Sequence, residues 1–553
     1  MKKRKIHVPP FIPITVGIVG HRDAVITPRH EELIKTLFAD LHAAYPCSPV
    51  YLFSQLAEGA DSDVADIFLE HKGPKDALIA PVPFELQAYI KSFDNDAHAV
   101  RFTEKLSPQA KRQFVLAGEP VSAENQNDLF RMGGKFVADS SLILLVLWNG
   151  IRNNKVGGAA DIVHYKENGA FNDDDLRNIY EKPSTILDLR CNRKAGEQIT
   201  VTYPEKSLLE TVKGDKTIKQ ALIKIEELNG AAISTTEEDI EQSLKYLLEK
   251  RDKLAAEDTD LAACYCLTDD QAMKNQKKYF RCVTALFILG FTIIAVFEIY
   301  KHMFQGPFSL TIALGFIASA LCLSWYSKKK EFHMRFLAAR VLAESLRVQF
   351  FWNLVGLREN AGDYILRIYK KEYDWIKYIL NSIYGITYPA KDAWYPEVVR
   401  DHWLELQLQY FKKNIDKMER KRKYLNNWAL ISLYLALMTL VFMLCFHHCL
   451  KHTELFGHEL LDYLIIISGC FLGMFALLKA YIEKKGFHQL VNQDTLMRDV
   501  HQSTLDRLKT VGGPNAVEAT KKLFKQAGEE ALIENGNWYM IYKDKEPNVE
   551  GIG

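Results

Sequence analysis

The stretch ITVGIVGHRD (residues 14–23) determines the fold of the first part of the chain. Its β-branched and other apolar residues are typical of a buried parallel strand, which we expect over residues 14–19, with the loop GHRD directly after it. Thr27 before Pro28 is typical of a helix N-cap with proline in the first turn, so a helix should begin there. The stretch therefore predicts a strand, a glycine-containing loop and a helix, in that order.

The alternation of strands and helices continues along the chain. We predict further strands at residues 50–53, 77–81 and 142–147, and a helix at residues 128–139 that packs on the sheet. This pattern predicts an α/β doubly wound, Rossmann-like domain, which binds its ligand at the carboxyl ends of the parallel strands. The loops expected at those ends carry the motifs GHRD, LAEGAD, LWNG and GGAADIV (residues 20–23, 56–61, 147–150 and 157–163).

These loops contain residues that suit a phosphorylated ligand, although none is a Walker A or G-x-G-x-x-G motif. Gly20, Gly157 and Gly158 allow the backbone to approach phosphates and to donate N–H groups to them. Arg22 can pair with a phosphate through two parallel hydrogen bonds. The loops therefore predict an anion site at one edge of the sheet.

Acidic residues of the same loops suit a ribose. Glu58 and Asp61 only accept hydrogen bonds when ionised, so each is either a partner of ribose hydroxyls or a cap of the helix that follows. Asp23 fits a turn better than a ligand contact. The complete set of predicted ligand-binding residues is Gly20, His21, Arg22, Asp23, Glu58, Gly59, Asp61, Trp148, Gly157, Gly158, Ala159 and Asp161.

Together, the four motifs resemble the SLOG superfamily of nucleotide-sensing domains, over residues 12–168. The resemblance implies a nucleotide-derived signalling ligand, either an ADP-ribose-like molecule or a cyclic oligonucleotide, and no other cofactor. The phosphoribohydrolase signature of the superfamily is similar to PGGxGTxxE, whereas the matching loop here reads VGGAADIV (residues 156–163). The proline, the Gly-Thr pair and the glutamate are missing, which favours binding. A nucleotide N-glycosidase or phosphoribohydrolase with Glu58 or Asp61 as acid and base is the alternative.

Four apolar stretches follow later in the chain, at residues 282–300, 308–326, 428–446 and 460–481. Each is close to the roughly 20 residues that span a bilayer, and short breaks join them into two hairpins. Four such stretches in pairs favour membrane spans over buried helices of a soluble protein. Basic clusters such as RKRK (residues 420–423) flank the hairpins, so both termini are predicted to be cytoplasmic, with the chain multi-pass in the inner membrane.

Three residues of these stretches are candidates for a pore or a helix contact. Glu298 lies one helical turn from the end of its stretch, and it either contributes to a ring of carboxylates in an oligomer or reaches the membrane surface. Gly469 and Gly473 form a G-x-x-x-G pattern, which either brings two helices close together or reflects ordinary small-residue packing.

The hairpin layout, together with AESLRVQFFW (residues 343–352) and ENGNW (residues 534–538), is similar to the SLATT-type transmembrane effectors of prokaryotic conflict systems, over residues 274–553. The resemblance implies a homo-oligomer that opens a pore, such as an ion channel, or disrupts the membrane in antiviral defence when a second messenger binds. It also implies the lipid bilayer, the nucleotide and a signal-synthesising enzyme encoded nearby as partners. A transporter is the third alternative, and the apolar stretches lack the charged residues deep inside that would favour it.

The composition of the chain also argues against nucleic-acid and metal binding. The 70 basic and 69 acidic residues give a formal net charge of +1, which argues against nucleic acid as the main partner. The nine cysteines show neither a zinc-ligand spacing nor a secreted disulfide framework, so we predict reduced thiols and no metal site.

Two short strands, ILDLRC (residues 186–191) and ITVTYP (residues 199–204), are expected to close the first domain, and a helix is expected over residues 238–256. The predicted segments are the SLOG-like nucleotide-binding domain, a helical connector, the first hairpin, a cytosolic helical region, the second hairpin and a C-terminal helical region (residues 1–204, 205–280, 281–327, 328–427, 428–482 and 483–553).

Overall fold

A computed structural model describes the chain at residues 11–153, 155–169, 185–195, 198–233, 235–248, 256–364, 373–390 and 393–543. The chain forms two compact units, each made of two separate segments. Unit 1 comprises Met1–Thr268 and Ser345–Tyr395, and unit 2 comprises Asp269–Glu344 and Pro396–Gly553.

Unit 1 is built around a parallel sheet, and its strands are β1 (Ile14–Gly20), β2 (Val50–Phe53), β3 (Ala77–Val82), β4 (Ala110–Val115), β5 (Ile143–Trp148) and β6 (Ile186–Arg190). The helices of its first segment are α1 (Pro28–Ala44), α2 (Ala60–His71), α3 (Leu86–Lys91), α4 (Asp96–Val100), α5 (Gln126–Ser140), α6 (Ala159–Asn168), α7 (Leu208–Gly214), α8 (Lys216–Ala232) and α9 (Glu237–Leu247). Single turns of π- or 3₁₀-helix lie at Arg101–Leu106, Ser107–Gln109, Ala361–Tyr364 and Arg400–Glu405.

The remaining helices are α10 (Ala256–His302), α11 (Pro307–Lys329), α12 (Phe332–Leu354), α13 (Asp374–Ile386), α14 (Pro396–Val399), α15 (Leu406–Lys451), α16 (Leu460–Lys485), α17 (Phe487–Thr510) and α18 (Ala516–Lys543). A small antiparallel pair, β7 (Glu454–Leu455) and β8 (His458–Glu459), joins α15 to α16.

The six strands of unit 1 are all parallel and lie in the order β4-β3-β2-β1-β5-β6. The chain adds strands on one side of β1 as far as β4 and then crosses to the other side to form β5 and β6. The direction of strand addition therefore reverses between β1 and β5, where Gly20 pairs with Leu147. The predicted parallel sheet with alternating helices is confirmed.

Both faces of the sheet are covered by helices. Successive residues of a strand point to opposite faces, and β1 is buried at every residue from Ile14 to Val19. On one face, α1 packs against α2, with the rings of Phe38 and Phe68 5.1 Å apart. On the other face, a Cβ atom at Gly17 would lie 2.9 Å from the Val137 side chain of α5, so glycine allows the helix to approach the strand.

The segment Ser345–Tyr395 completes this second face, although the sequence assigned it to the helical region between the hairpins. The hydroxyl groups of Thr15 in β1 and Ser382 in α13 are 2.7 Å apart. Arg112 of β4 donates hydrogen bonds to the carbonyl oxygens of Ile386, at 2.6 Å, and Tyr388. The sheet is therefore covered partly by residues that follow the first pair of apolar helices in the chain.

Most predicted elements of unit 1 occur close to their expected bounds. The strand at residues 50–53 is confirmed, and α1 begins after Thr27, whose hydroxyl accepts a hydrogen bond from the backbone N–H of His30. The predicted strand at residues 199–204 is wrong, because that stretch pairs with no strand in the described part of the chain. β4 was not predicted. The expected helix at residues 238–256 is described as α9, and residues 249–255 lie outside the described chain.

Unit 2 is almost entirely helical. Helices α10, α11, α15 and α16 contain the four apolar stretches, and four helices of the described chain are long and apolar enough to cross a membrane. Within this unit α15 packs along α16, and α17 packs against both α15 and α18. The layout is therefore consistent with a multi-pass membrane protein.

Helices α10 and α16 run antiparallel and contact each other over their whole apolar length. The contacting pairs, in order along α10, are Phe280–Lys485, Phe287–Tyr481, Ile294–Gly473, Glu298–Gly469 and His302–Asp462. We call this line of contacts the α10–α16 seam.

Candidate functional site

The carboxyl ends of β1 and β5 lie side by side where the order of strand addition reverses, and we call this position the crevice. Parallel sheets bind ligands at such a position because the loops on either side of it diverge. The backbone N–H of His21 donates to the carbonyl oxygen of Leu147, at 3.0 Å. His21 Nε2 also lies 3.0 Å from Asn149 Oδ1. The loops after β1 and β5 are thus joined by hydrogen bonds at the base of the crevice.

Two predicted glycines hold the loop after β1 against the start of α2. A Cβ atom at Gly20 would lie 2.4 Å from the Ala60 Cβ and 2.6 Å from the Leu147 carbonyl oxygen. Gly59 has φ +71°, and its Cβ would lie 2.1 Å from the carbonyl oxygen of Arg22. Only glycine fits either position, because the neighbouring atoms belong to the backbone or to a buried helix. These residues therefore fix the loop GHRD on the helix that follows β2.

Arg22 keeps most of its hydrogen-bonding capacity. Its guanidinium lies over the ring of Phe130 in α5, with 4.8 Å between Cζ and the ring centroid. One N–H donates to the carbonyl oxygen of Ser92, at 3.3 Å. Within the described residues its other N–H groups have no hydrogen-bond acceptor, and an arginine has five such donors. Arg22 is therefore positioned by an aromatic ring and remains able to bind an anion.

The two carboxylates of the LAEGAD motif have different surroundings. Glu58 accepts hydrogen bonds from the backbone N–H groups of Asp94 and Asn95, at 3.1 and 2.9 Å, so both of its oxygens hold the loop before α4. Asp61 is 5% exposed, and burial raises its pKa to about 8, against the opposing effects of Arg22 and of a hydrogen bond from the Gly20 backbone. Neither carboxylate caps α2, because the hydrogen bonds that they accept come from residues outside this helix.

Asp23 and Trp148 both contact residues in or just after β6. Asp23 pairs with Arg193, at 2.9 Å between Oδ1 and Nε, and the Trp148 indole N–H donates to Asp188 at 2.7 Å. The guanidinium of Arg190 lies over the Trp148 ring, 4.8 Å from its centroid. These two predicted ligand residues are therefore engaged within the protein.

The loop before α6 is also held by internal bonds. Gly157 has φ +74°, and its N–H donates to Asp161 Oδ2 at 2.8 Å. The same carboxylate accepts two hydrogen bonds from Arg131 of α5, at 2.7 and 3.1 Å. Gly158 is the N-cap of α6 and Ala159 is its first residue, with no side-chain cap. Backbone N–H groups at this helix start thus remain for a ligand, whereas the Asp161 carboxylate is already bonded.

Cationic and acidic side chains both surround the crevice, and Arg193 and Arg131 are paired with Asp23 and Asp161. The pKa of His21 is lowered, chiefly by burial and further by the positive charges of Arg193 and Lys155, against the opposing effects of Asn149 and Asp23. Together with Arg22, these side chains place cationic groups around the loops after β1 and β5. An anionic ligand would be attracted to this position.

Sequence reasoning missed several residues of the crevice. Asn149 lies within the LWNG motif, so its contact with His21 had a signal in the sequence. Lys155 lies two residues before Gly157 and could have been included for its charge. Phe130 and Arg193 carry no local signal, because each reaches the crevice from an element distant in the chain.

Comparison of the chain with protein-family models, with curated proteins and with solved structures returned no match. Among the residues that the structure describes, no group of three His, Cys, Asp or Glu side chains is arranged to hold a metal ion. A function is therefore inferred from the geometry within each unit.

The three candidates in unit 2 meet in the α10–α16 seam. A Cβ atom at Gly469 would lie 2.9 Å from Glu298 Cδ, and one at Gly473 would lie 2.9 Å from the Ile294 side chain. Glu298 Oε2 lies 3.8 Å from Nε2 of His302, on the next turn of α10. The Nδ1 atom of the same histidine lies 3.9 Å from Asp462 Oδ1 of α16. The two glycines thus allow α10 and α16 to approach closely, and the Glu298 carboxylate lies at the point of contact.

Proposed function

We propose that the chain is a membrane effector gated by a nucleotide second messenger, which opens a pore or disrupts the membrane in prokaryotic antiviral defence. Unit 1 would be a Rossmann-like, SLOG-like sensor, and the α10–α16 seam would belong to the membrane-spanning part. The observation that supports this most is the crevice at the reversal of strand order, where Arg22 presents unbonded donors. The same chain carries four helices long enough to span a bilayer.

The crevice suits a phosphorylated nucleotide better than an uncharged metabolite. Arg22 and the backbone at the start of α6 would bind phosphate oxygens. Phe130 holds the Arg22 guanidinium in place, so little conformational entropy would be lost when a phosphate binds. The bond pattern of Glu58 disfavours its use as a catalytic acid or base, since both oxygens already accept backbone hydrogen bonds. We therefore rank binding above hydrolysis.

Gating requires a ligand that binds one arrangement of the protein more tightly than another, because equal affinity for both shifts nothing. The spans would act as a homo-oligomer in the inner membrane with both termini in the cytoplasm. Large apolar side chains of α11 and α15 are exposed, including Phe308 at 79% and Leu444 at 81%. Such surfaces suit contact with lipid or with neighbouring copies.

Thermal stability of the full-length protein in detergent, measured against ADP-ribose-like molecules and cyclic nucleotides, tests this proposal. The full chain is required because α13 packs on the sheet from outside the first 204 residues. A ligand at about 100 times its Kd should stabilise the protein by about 2.7 kcal/mol. Arg22→Ala should abolish the shift, whereas Arg29→Ala, which removes an exposed arginine of α1, should leave it unchanged.

Product analysis separates the alternatives. A nucleotide recovered intact would support a sensor, and one consumed by the protein would indicate a membrane-anchored N-glycosidase. Flux of a solute through vesicles in the absence of any messenger would indicate a transporter. No stabilisation by any nucleotide would contradict ligand gating.

A further inference from the structure

A cavity lies in unit 1 on the face of the sheet that α5 and the segment Ser345–Tyr395 cover. Its volume is about 240 Å³. One wall comes from α5 and includes Phe136, Asp139 and Ser140, and the other comes from Arg358, Asn381, Tyr384 and Tyr388, among others. We call it the α5 pocket. None of the predicted ligand-binding residues lines it.

Aromatic rings form one side of the α5 pocket. The rings of Phe136 and Tyr388 are 5.2 Å apart and nearly perpendicular, and those of Tyr384 and Tyr388 are 5.7 Å apart. The Arg358 guanidinium lies over the Tyr388 ring, 5.2 Å from its centroid. Because the Tyr388 ring also stacks on Phe114, the flat groups that remain for a ligand are the Arg358 guanidinium and the rings of Phe136 and Tyr384. Stacking on aromatic and guanidinium planes is how proteins hold heterocyclic bases.

Two side chains of the lining, Ser140 and Asn381, can donate hydrogen bonds to a ligand. Ser140 is 2% exposed, and its hydroxyl has no hydrogen-bond partner among the residues that the structure describes. Asn381 accepts a hydrogen bond from Asn360 at 2.9 Å, while its own NH₂ group has no acceptor in that part of the chain. A ligand in the pocket could accept a hydrogen bond from the Ser140 hydroxyl.

The pocket also presents acceptors, which decides the class of ligand. Asp139 borders it, with its carboxylate bonded to Lys135 at 2.6 Å and to the Tyr165 hydroxyl at 2.8 and 3.0 Å. Glu359 and Asp363 add two further carboxylates to the lining. The lining thus contains three carboxylates and two cationic side chains, those of Lys135 and Arg358. This excess of negative charge disfavours the binding of a phosphate. A ring with both acceptor and donor groups on its edge matches this mixture.

We propose that the α5 pocket binds a planar heterocycle of the nucleobase class, as a free base or nucleoside. The site does not depend on a ligand in the crevice, so it stands apart from the gating proposal. Helix α5 nevertheless takes part in both, since Phe130 and Arg131 contact the crevice loops and Phe136 and Ser140 line the pocket. A base bound here would fix α5 against the segment that connects the two hairpins along the chain.

Equilibrium dialysis of the full-length protein in detergent with adenine, guanine, cytosine, uracil and their nucleosides tests this site. We expect at least one to bind, and inorganic phosphate not to compete. Ser140→Ala removes the unbonded hydroxyl, and Asn381→Asp keeps the acceptor that Asn360 uses while removing the free amide donor. Each should weaken binding about tenfold, the usual effect of one lost hydrogen bond.

The variant Arg22→Ala is the matched control and should bind the base with unchanged affinity. Melting curves of each variant show whether it is folded, and Ser140→Ala, the milder change, decides the matter if Asn381→Asp does not fold. Absence of binding by every base and nucleoside would overturn the proposal. Binding that is lost in Arg22→Ala and kept in Ser140→Ala would also overturn it, and would place the base in the crevice.

Discussion

Glycine allows close approach in both units, but the atoms that it approaches differ. In the crevice, a side chain at Gly59 would meet the backbone oxygen of Arg22 at 2.1 Å. In the α10–α16 seam, a side chain at Gly469 would meet the carboxyl carbon of Glu298 at 2.9 Å. The Arg22 backbone follows His21, which is hydrogen-bonded to both β5 and α2, so it cannot move away easily, whereas a glutamate can change rotamer. The crevice is therefore geometrically fixed and the seam is adjustable, which is what the proposed function would require of a sensor and of a membrane part that moves.

The largest effect should come from Gly59→Ala. Its φ of +71° alone costs an alanine about 1 kcal/mol or more, and the contact with the Arg22 oxygen adds to this, so we expect a loss of at least about 3 kcal/mol in unfolding free energy. Denaturant unfolding of the full-length protein in detergent measures it. Gly118→Ala is the control, because a Cβ there meets nothing within 4 Å. Equal stability of the two variants would show that the crevice is not fixed as described.

The pH dependence of the unfolding free energy tests whether the Asp61 carboxyl group is buried. Its folded pKa of about 8 lies above the ordinary value of 3.8, so between these values the native state holds one proton more than the unfolded state. Stability should therefore fall as pH rises, by up to about 1.4 kcal/mol per pH unit. Asp61→Asn lacks this contribution. Unfolding at pH 5, 6 and 7 should show wild type losing stability relative to the variant, and parallel profiles would contradict the burial of Asp61.

Asp161→Asn tests whether the loop before α6 is held as firmly as the loop after β1. The substitution removes the charge that pairs with Arg131 and weakens the bond from Gly157, and we expect a loss of about 1–2 kcal/mol. Glu32→Gln, which removes an exposed pair with Arg29, should cost at most about 0.5 kcal/mol. If Asp161→Asn cost no more unfolding free energy than Glu32→Gln but abolished nucleotide binding, the Asp161 carboxylate would contact the ligand instead of holding the loop.

The smallest effect should be that of Gly469→Ala. Alanine is favoured over glycine within a helix by about 1 kcal/mol, and the displacement of Glu298 should offset most of that gain. Gly315→Ala in α11, where a Cβ meets nothing within 4 Å, should show the full gain. Melting of both variants in detergent gives the difference, which we expect to be about 1 kcal/mol or less. A loss of several kcal/mol in Gly469→Ala would mean that the seam is as fixed as the crevice.

The sequence predicted the elements that carry their own signal. β2 and the N-cap at Thr27 occur at the expected residues, because apolar alternation and capping are local patterns. β4 was missed since Lys111 and Arg112 interrupt the apolar pattern at the edge of the sheet. Residues 199–204 resemble a strand in composition, but strand formation requires a neighbour to pair with, and composition does not supply one.

The position of the motifs at the ends of β1 and β5 was predicted, but their internal bonds were not. Gly20 and Arg22 lie at the crevice as the motif order implied. The partners of Asp23 and Asp161 are Arg193 and Arg131, which are 170 and 30 residues away in the chain. Such pairs depend on the three-dimensional fold, so no spacing rule could show that these carboxylates were already engaged.

The packing of α13 on the sheet has a consequence for protein synthesis. The Thr15 face of β1 receives α13 only after the ribosome has translated beyond Ile386, by which time both apolar helices of the first hairpin have already been made. Part of the apolar face of the sheet in the nascent N-terminal region therefore stays exposed while those helices leave the exit tunnel. Cells that produce this protein are expected to need a chaperone at that stage, and premature termination between the hairpins would release a chain prone to aggregation.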